Sequence, residues 1–161
     1  MPAADPPLRT ILEFTEFVAA AAASSRQKER VVRAAGVPIT GAGLTALRAV
    51  DRHGPIAVSA LARRVRVDLS TMSRQLRPLE TLGLVVRDTD PDDGRVAWLT
   101  ISGRGDRLLA RVDRAVVDDF DAALAGWPPG DRAQLAQLLA RFQAGLVANR
   151  ATENADGAHR P

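Results

Sequence analysis

Apolar positions along the chain recur with helical spacing over most of its length and change to strand-like spacing in one place. After Pro6-Pro7, the residues Leu8, Ile11, Leu12, Phe14, Val18, Ala21 and Ala22 mark a first helix. It is expected to reach about Arg33, with Gly36 and Pro38 ending it. Thr40 suits the cap of a second helix, whose stripe is Leu44, Leu47 and Val50 and whose end is His53-Gly54-Pro55. Ile56-Ala57 is long enough for one bridge of sheet. Val58, Leu61, Ala62 and Val65 mark a short third helix. Asp68 can cap a fourth, running to about Leu82 and closed by Gly83. Leu84 to Arg87 and Arg95 to Ile101 then read as two strands around turn chemistry, with Asp93-Gly94 suited to a tight hairpin. Ser102 can cap a fifth helix striped by Leu108, Leu109, Val112, Val116, Phe120 and Leu124, broken by Gly126-Trp127-Pro128-Pro129-Gly130. Leu135, Leu138, Leu139, Phe142 and Leu146 carry a sixth. Residues 151–161 are polar without a stripe and read as a flexible tail.

Helix, helix, short turn, helix, hairpin is the order of a winged helix-turn-helix, a fold that presents its last helix to the major groove of DNA. The fourth helix fits that role. At 100° per residue, Leu69, Met72, Leu76 and Leu79 share one broad side. Ser70, Ser73, Arg74 and Arg77 share the other, with Thr71 at its margin. Hydroxyls and guanidiniums suit phosphates and base edges. Pro78 lies inside this helix, removes the hydrogen bond to the Arg74 carbonyl and predicts a local kink after Arg77. The half of the helix that would enter the groove precedes it.

Charge sharpens this placement. The chain has 161 residues and a formal net charge of +3. All but one of its 22 basic residues are Arg, Lys28 being the exception. An Arg excess over a whole chain is what GC-rich coding produces, so position says more than number. From Ile56 to Arg87 the arginines at 63, 64, 66, 74, 77 and 87 face only Asp68 and Glu80, a local net of 6 − 2 = +4. The basic excess is concentrated where DNA would lie. The absence of Cys excludes disulfides, thiolate metal sites and thiol switches. The two histidines, His53 in a turn and His159 in the tail, make no metal cluster. No paired catalytic groups and no Gly-rich phosphate loop are present, so an enzyme is not expected. The start, Met1-Pro2-Ala3-Ala4-Asp5-Pro6-Pro7, lacks the regions of a signal peptide, and no apolar run has transmembrane length. A cytoplasmic protein without membrane contact is expected.

The hairpin segment Asp90-Pro91-Asp92-Asp93-Gly94-Arg95 is acidic except at its end. Either Asp93 holds Arg95 in a fixed pose from which it reaches a narrow minor groove, or the two form a surface ion pair of little consequence. Trp98 and Trp127 read as packing residues of the wing and of a helix corner.

The run from Ile39 to Gly105 resembles the MarR family of bacterial transcription regulators. The resemblance rests on Thr40 to Val50 (TGAGLTALRAV), Val58-Ser59-Ala60-Leu61-Ala62, and Asp68 to Val85 (DLSTMSRQLRPLETLGLV). It extends to the wing signature at Asp90 to Arg95 and to Ile101-Ser102-Gly103-Arg104-Gly105, where the family has Leu-Thr-x-x-Gly. It implies a mainly α fold with a small β-wing: a winged helix-turn-helix at 39–101 between dimerisation helices at 1–38 and 102–150, and a tail at 151–161. It implies a homodimer that sets two recognition helices on a near-palindromic double-stranded DNA site. Carried over residue by residue, Ser70, Thr71, Ser73, Arg74 and Arg77 take the groove positions, and Asp93 and Arg95 the wing positions. Gly94 departs from the basic residue often found there, which weakens the expected phosphate contact at the wing tip, and Pro78 stands where the family often has Arg or Lys. A repressor released by a small-molecule effector, with no cofactor and no metal, is the function implied. Peroxide sensing through Cys and zinc sensing through His clusters are not available to this chain. The residues do not show a ligand site. The alternative is a small-molecule-binding protein of the same fold without an operator.

Overall fold

A computed structural model describes residues 6–89 and 97–157. It divides into two compact units, Met1–Asp118 and Asp119–Pro161.

The first unit opens with α1 (Pro6–Ala23) and α2 (Ser25–Ala34), where the sequence pattern had suggested one helix. The break has a local cause. The Ser24 hydroxyl accepts from the Gln27 N–H at 3.3 Å and caps α2, a bond that Ser gains only by leaving helical geometry. No residue of α1 is buried, and Phe14, Phe17 and Val18 are among its exposed apolar side chains. α2 contributes Val31 and Val32 to the core.

Thr40 caps α3 (Gly41–His53) as expected, accepting from the Gly43 N–H at 3.1 Å. The carboxylate of Glu29 on α2 accepts from the Gly41 N–H at 2.7 Å, so a second side chain satisfies the same helix start. β1 (Ile56–Ala57) leads straight into α4 (Val58–Val65), and α5 (Leu69–Thr81) follows after three residues. β2 (Val85–Thr89) and β3 (Ala97–Ile101) pair antiparallel, with Val85 opposite Ile101 and Arg87 opposite Leu99. β1 pairs with the other edge of β3, giving the order β1-β3-β2. Residues 90–96, with Asp93, Gly94 and Arg95 among them, lie outside the described residues.

The core of this unit gathers Leu47 and Val50 from α3, Leu61 from α4, Met72, Leu76 and Leu79 from α5, Leu84 just before β2, and Leu99 from β3. α6 (Gly103–Ala123) joins through Leu108, Leu109 and Val112. Its start is fixed twice. Ser102 Oγ donates to the Gly83 carbonyl at 2.6 Å and accepts from the Gly105 N–H at 3.0 Å. At Gly105 a side chain has no room: a Cβ would stand 2.3 Å from the Leu84 carbonyl oxygen. Further along, Arg111 donates to the carbonyls of Ala35 and Gly36, both at 2.8 Å, which closes the end of α2.

In the second unit the rest of α6 is followed by a turn and by α7 (Pro129–Gly157). Arg132 fastens the turn, donating to Asp121 and to the Leu124 carbonyl, each at 2.7 Å. Leu138, Leu139, Phe142 and Leu146 are exposed within this unit. The helix runs past residue 150, where a tail was expected to begin. Ala151 to Asp156 lack a stripe, but they also lack Gly and Pro, so nothing in them stops a helix already propagating.

Candidate nucleic-acid interface

α4, the turn at Arg66 to Asp68, and α5 form the helix-turn-helix. The turn is closed by backbone geometry. Arg66 adopts φ +60°, the left-handed conformation usual for Gly at this position. Its N–H donates to the Arg63 carbonyl at 3.2 Å, and the Val67 N–H to Ala62 at 3.0 Å. Asp68 then caps α5.

That cap is a dense network. Asp68 Oδ1 accepts from the Thr71 N–H at 2.7 Å and from the Ser70 hydroxyl. Its Oδ2 accepts from the Thr71 hydroxyl at 2.7 Å. The Ser70 hydroxyl, then the Thr71 hydroxyl and N–H, stabilise the ionised form and hold this carboxyl well below the usual carboxylate range. The Thr71 oxygen also accepts from Arg74 Nη2 at 3.3 Å.

The sequence-predicted residues of α5 share its solvent side. Ser70, Ser73, Arg74 and Arg77 are exposed and Thr71 is half-buried, while Met72, Leu76 and Leu79 are fully buried opposite them. Their hydroxyls differ in availability, because Ser70 and Thr71 turn theirs to Asp68. Leu69 departs from expectation: at the first helical position it is 54% exposed. Angular periodicity gives the direction of a side chain but not how far along the axis the packed neighbour extends. Pro78 does not end α5, which continues to Thr81 with the Leu82 N–H donating to the Pro78 carbonyl at 3.0 Å. Asp93 and Arg95 cannot be placed, being outside the described residues.

Three further arginines frame the start of α5. Arg63, Arg64 and Arg66 are exposed and make no side-chain ion pair among the described residues. Local charge singled them out, but only the left-handed turn puts Arg66 beside the start of α5. Arg87 is different. Its Nε and Nη2 grip Glu80 Oε1 at 2.9 and 2.7 Å, so it ties β2 to α5.

Behind the helix-turn-helix lies a feature that no motif announced. An open cavity of about 500 Å³ has Pro38, Leu82, Leu84 and Leu108 as its apolar wall. Arg104, Arg107 and Arg111 supply its charge, from one face of α6. These residues are far apart in sequence, and only the packing of α6 on the α5–β2 junction unites them. Trp98 on β3 and Trp127 between α6 and α7 do not line it. His53 closes α3. Among the described residues no group of three His, Asp or Glu is placed to hold a metal, and no helix is long and apolar enough to cross a membrane.

The fold and this surface define a winged helix-turn-helix protein. The MarR family model matches residues 39–97, from just before α3 to the first residue of β3. YxaD of Bacillus subtilis, an uncharacterised HTH-type transcriptional regulator, is 34% identical over 101 residues, which is 63% of this chain and 71% of that protein. The transcriptional regulator Tm0710 of Thermotoga maritima has a similar crystal structure, with TM-score 0.72 at 21% identity over 91% of this chain and 99% of that one. A mutant of MepR from S. aureus, solved bound to an oligodeoxyribonucleotide, gives TM-score 0.57 at 16% identity over 84% and 97%. The two structures speak to fold alone. The chain belongs to the MarR family of transcriptional regulators.

Proposed function

We propose that this regulator is a cytoplasmic homodimer that binds a near-palindromic DNA site, represses nearby promoters and is released by a small-molecule ligand. The observation that carries the DNA reading is the solvent face of α5, where Ser73, Arg74 and Arg77 stand clear beside Arg63, Arg64 and Arg66. A face built to pack would not carry five guanidiniums. Dimerisation is supported by the exposed apolar side chains of α1 in one unit and of α7 in the other, surfaces that a monomer would leave in water. Mobility shift on a randomised duplex pool is the test. Enrichment of an inverted repeat is the expected result; binding without sequence preference would remove the specific-regulator claim.

Release by ligand requires a compound that binds the DNA-incompetent spacing of the two winged domains more tightly than the competent one. The cavity beside Arg104, Arg107 and Arg111 supports that part, since its apolar wall and cationic face suit an amphipathic organic anion. The same cavity favours the second reading, a small-molecule-binding protein of this fold without an operator. Thermal-shift screening with aromatic carboxylates, paired with the pool selection, separates the two. Ligand binding without sequence selection would favour the second reading.

A further inference from the structure

The recognition helix carries hydroxyls at Ser70, Thr71 and Ser73 ahead of two guanidiniums, and resemblance alone would send all five groups to the DNA. The hydrogen bonds divide them. We propose that Thr71 is a positioning residue: anchored by Asp68, it aims the Arg74 guanidinium at a base edge and does not read DNA itself. This rests on the DNA-binding reading above.

A threonine hydroxyl has one proton to give and lone pairs to accept with. Thr71 spends its proton on Asp68 Oδ2 at 2.7 Å, because an ionised carboxylate can only accept. Its oxygen is thereby left facing the next turn as an acceptor. Arg74 stands three residues on, one helical turn away, and gives Nη2–H to that oxygen at 3.3 Å. Thr71 is also fixed through its backbone, since its N–H donates to Asp68 Oδ1 at 2.7 Å. Ser70 adds its hydroxyl to the same oxygen. Because these donors stabilise its ionised form, Asp68 remains the accepting end of the chain throughout the neutral range.

The result is a one-way relay from Arg74 through Thr71 to Asp68. A guanidinium has five donors in a rigid plane, so tethering one edge orients that plane and leaves the rest of the fork for a base. Ser73 and Arg77 have no such tether among the described residues. Of the two groove-facing arginines, then, Arg74 is oriented before binding and Arg77 is free to adapt. Thr71 is half-buried as well, and for it to contact a base as a donor the bond to Asp68 would have to break.

The test uses the full chain and a duplex that the wild-type protein enriches from a randomised pool. Binding is read by fluorescence anisotropy on that duplex and on each single base-pair variant of it. Arg74→Ala identifies the base pair whose identity ceases to matter. Thr71→Val, which keeps the shape and deletes the hydroxyl, is expected to lose about tenfold in discrimination at the same base pair, the order of one specific contact. Thr71→Ser is expected to retain it. The double variant should lose no more than Arg74→Ala alone, as for residues acting through one another. Should Thr71→Val not fold by circular dichroism, Asp68→Asn serves instead. Its amide would donate to Thr71 and turn the hydroxyl proton toward Arg74, weakening the same base pair.

Loss of discrimination at a different base pair would make Thr71 a reader in its own right and overturn the proposal. A uniform loss on all duplexes, or none, would overturn it too. If Arg74→Ala flattens no base pair while the wild type still selects a sequence, the relay is refuted and the DNA-binding reading survives. If the wild type selects no sequence, the reading beneath it fails.

Discussion

Arg74 and Arg77 lie on one face of α5, one turn apart, and should nevertheless behave differently. Arg74 is braced by Thr71, and Arg74→Ala should cost about 1–3 kcal/mol at the base pair it reads. Arg77 is unbraced, and its loss should weaken binding to every duplex and make the salt dependence shallower. Anisotropy titrations at several salt concentrations separate the two. Asp68 adds a pH dependence of defined sign. Its carboxyl titrates lower in the folded chain than in the unfolded one. The stability it contributes is therefore fully present above the unfolded carboxylate pKa of about 4 and is lost as pH falls below it. The urea midpoint of the wild type should exceed that of Asp68→Asn at pH 7, and the gap should narrow toward pH 3. An unchanged gap would mean that the charge of Asp68 does not matter to its cap. Identifying Asp68 as a cap needed only the sequence, because Asp before an apolar stripe has that one common use. The direction of the Thr71 hydroxyl was not legible. A helical wheel puts Thr71 at the margin of the polar face and says nothing about where its one proton goes.

At the level of elements, legibility followed the strength of the stop signals. Gly83 and Gly126, both with positive φ, end the elements where the pattern placed the breaks. Ser24 was missed because serine is tolerated inside helices, and only a bond to Gln27 reveals that it caps. The end of α7 was missed for the opposite reason: a fading stripe looks like a tail, but losing a buried face does not unwind a helix that contains no breaker. The cavity was invisible because its apolar wall and its arginines come from three separate stretches. Two substitutions test how the elements are joined. Gly105→Ala puts a methyl against the Leu84 carbonyl and Ile101. It should destabilise by about 1–3 kcal/mol as α6 shifts off the sheet, seen as a lower urea midpoint at unchanged slope. Pro78→Ala restores an N–H that can donate to the Arg74 carbonyl. After allowing for a freer unfolded chain it should stabilise by about 1–2 kcal/mol. A drop in stability there would show that α5 depends on the shape proline imposes.

For the whole molecule, the question is how a chain of net charge +3 holds a polyanion. Global charge is too small to do it, so the cations must be concentrated on one face, and the proposed homodimer would present that face twice. Arg66 allows this to be tested apart from stability. Its left-handed φ of +60° is a conformation that costs a non-glycine residue about 1 kcal/mol or more. A turn that keeps arginine where glycine would be relaxed retains a guanidinium beside α5 at the expense of strain. Arg66→Gly removes the strain and the charge together. The relief of strain is opposed by the greater freedom of glycine in the unfolded chain, about 0.5–1 kcal/mol, so the thermal midpoint should hold or rise slightly. Affinity should fall all the same. If each protomer of a homodimer uses Arg66 on one phosphate, the plot of log affinity against log salt should become shallower by about 2, that is, about 0.9 for each of two phosphates. A flattening of about 1 would indicate that one protomer alone engages through this turn. An unchanged slope would place Arg66 off the DNA and leave its conformation without a functional reason.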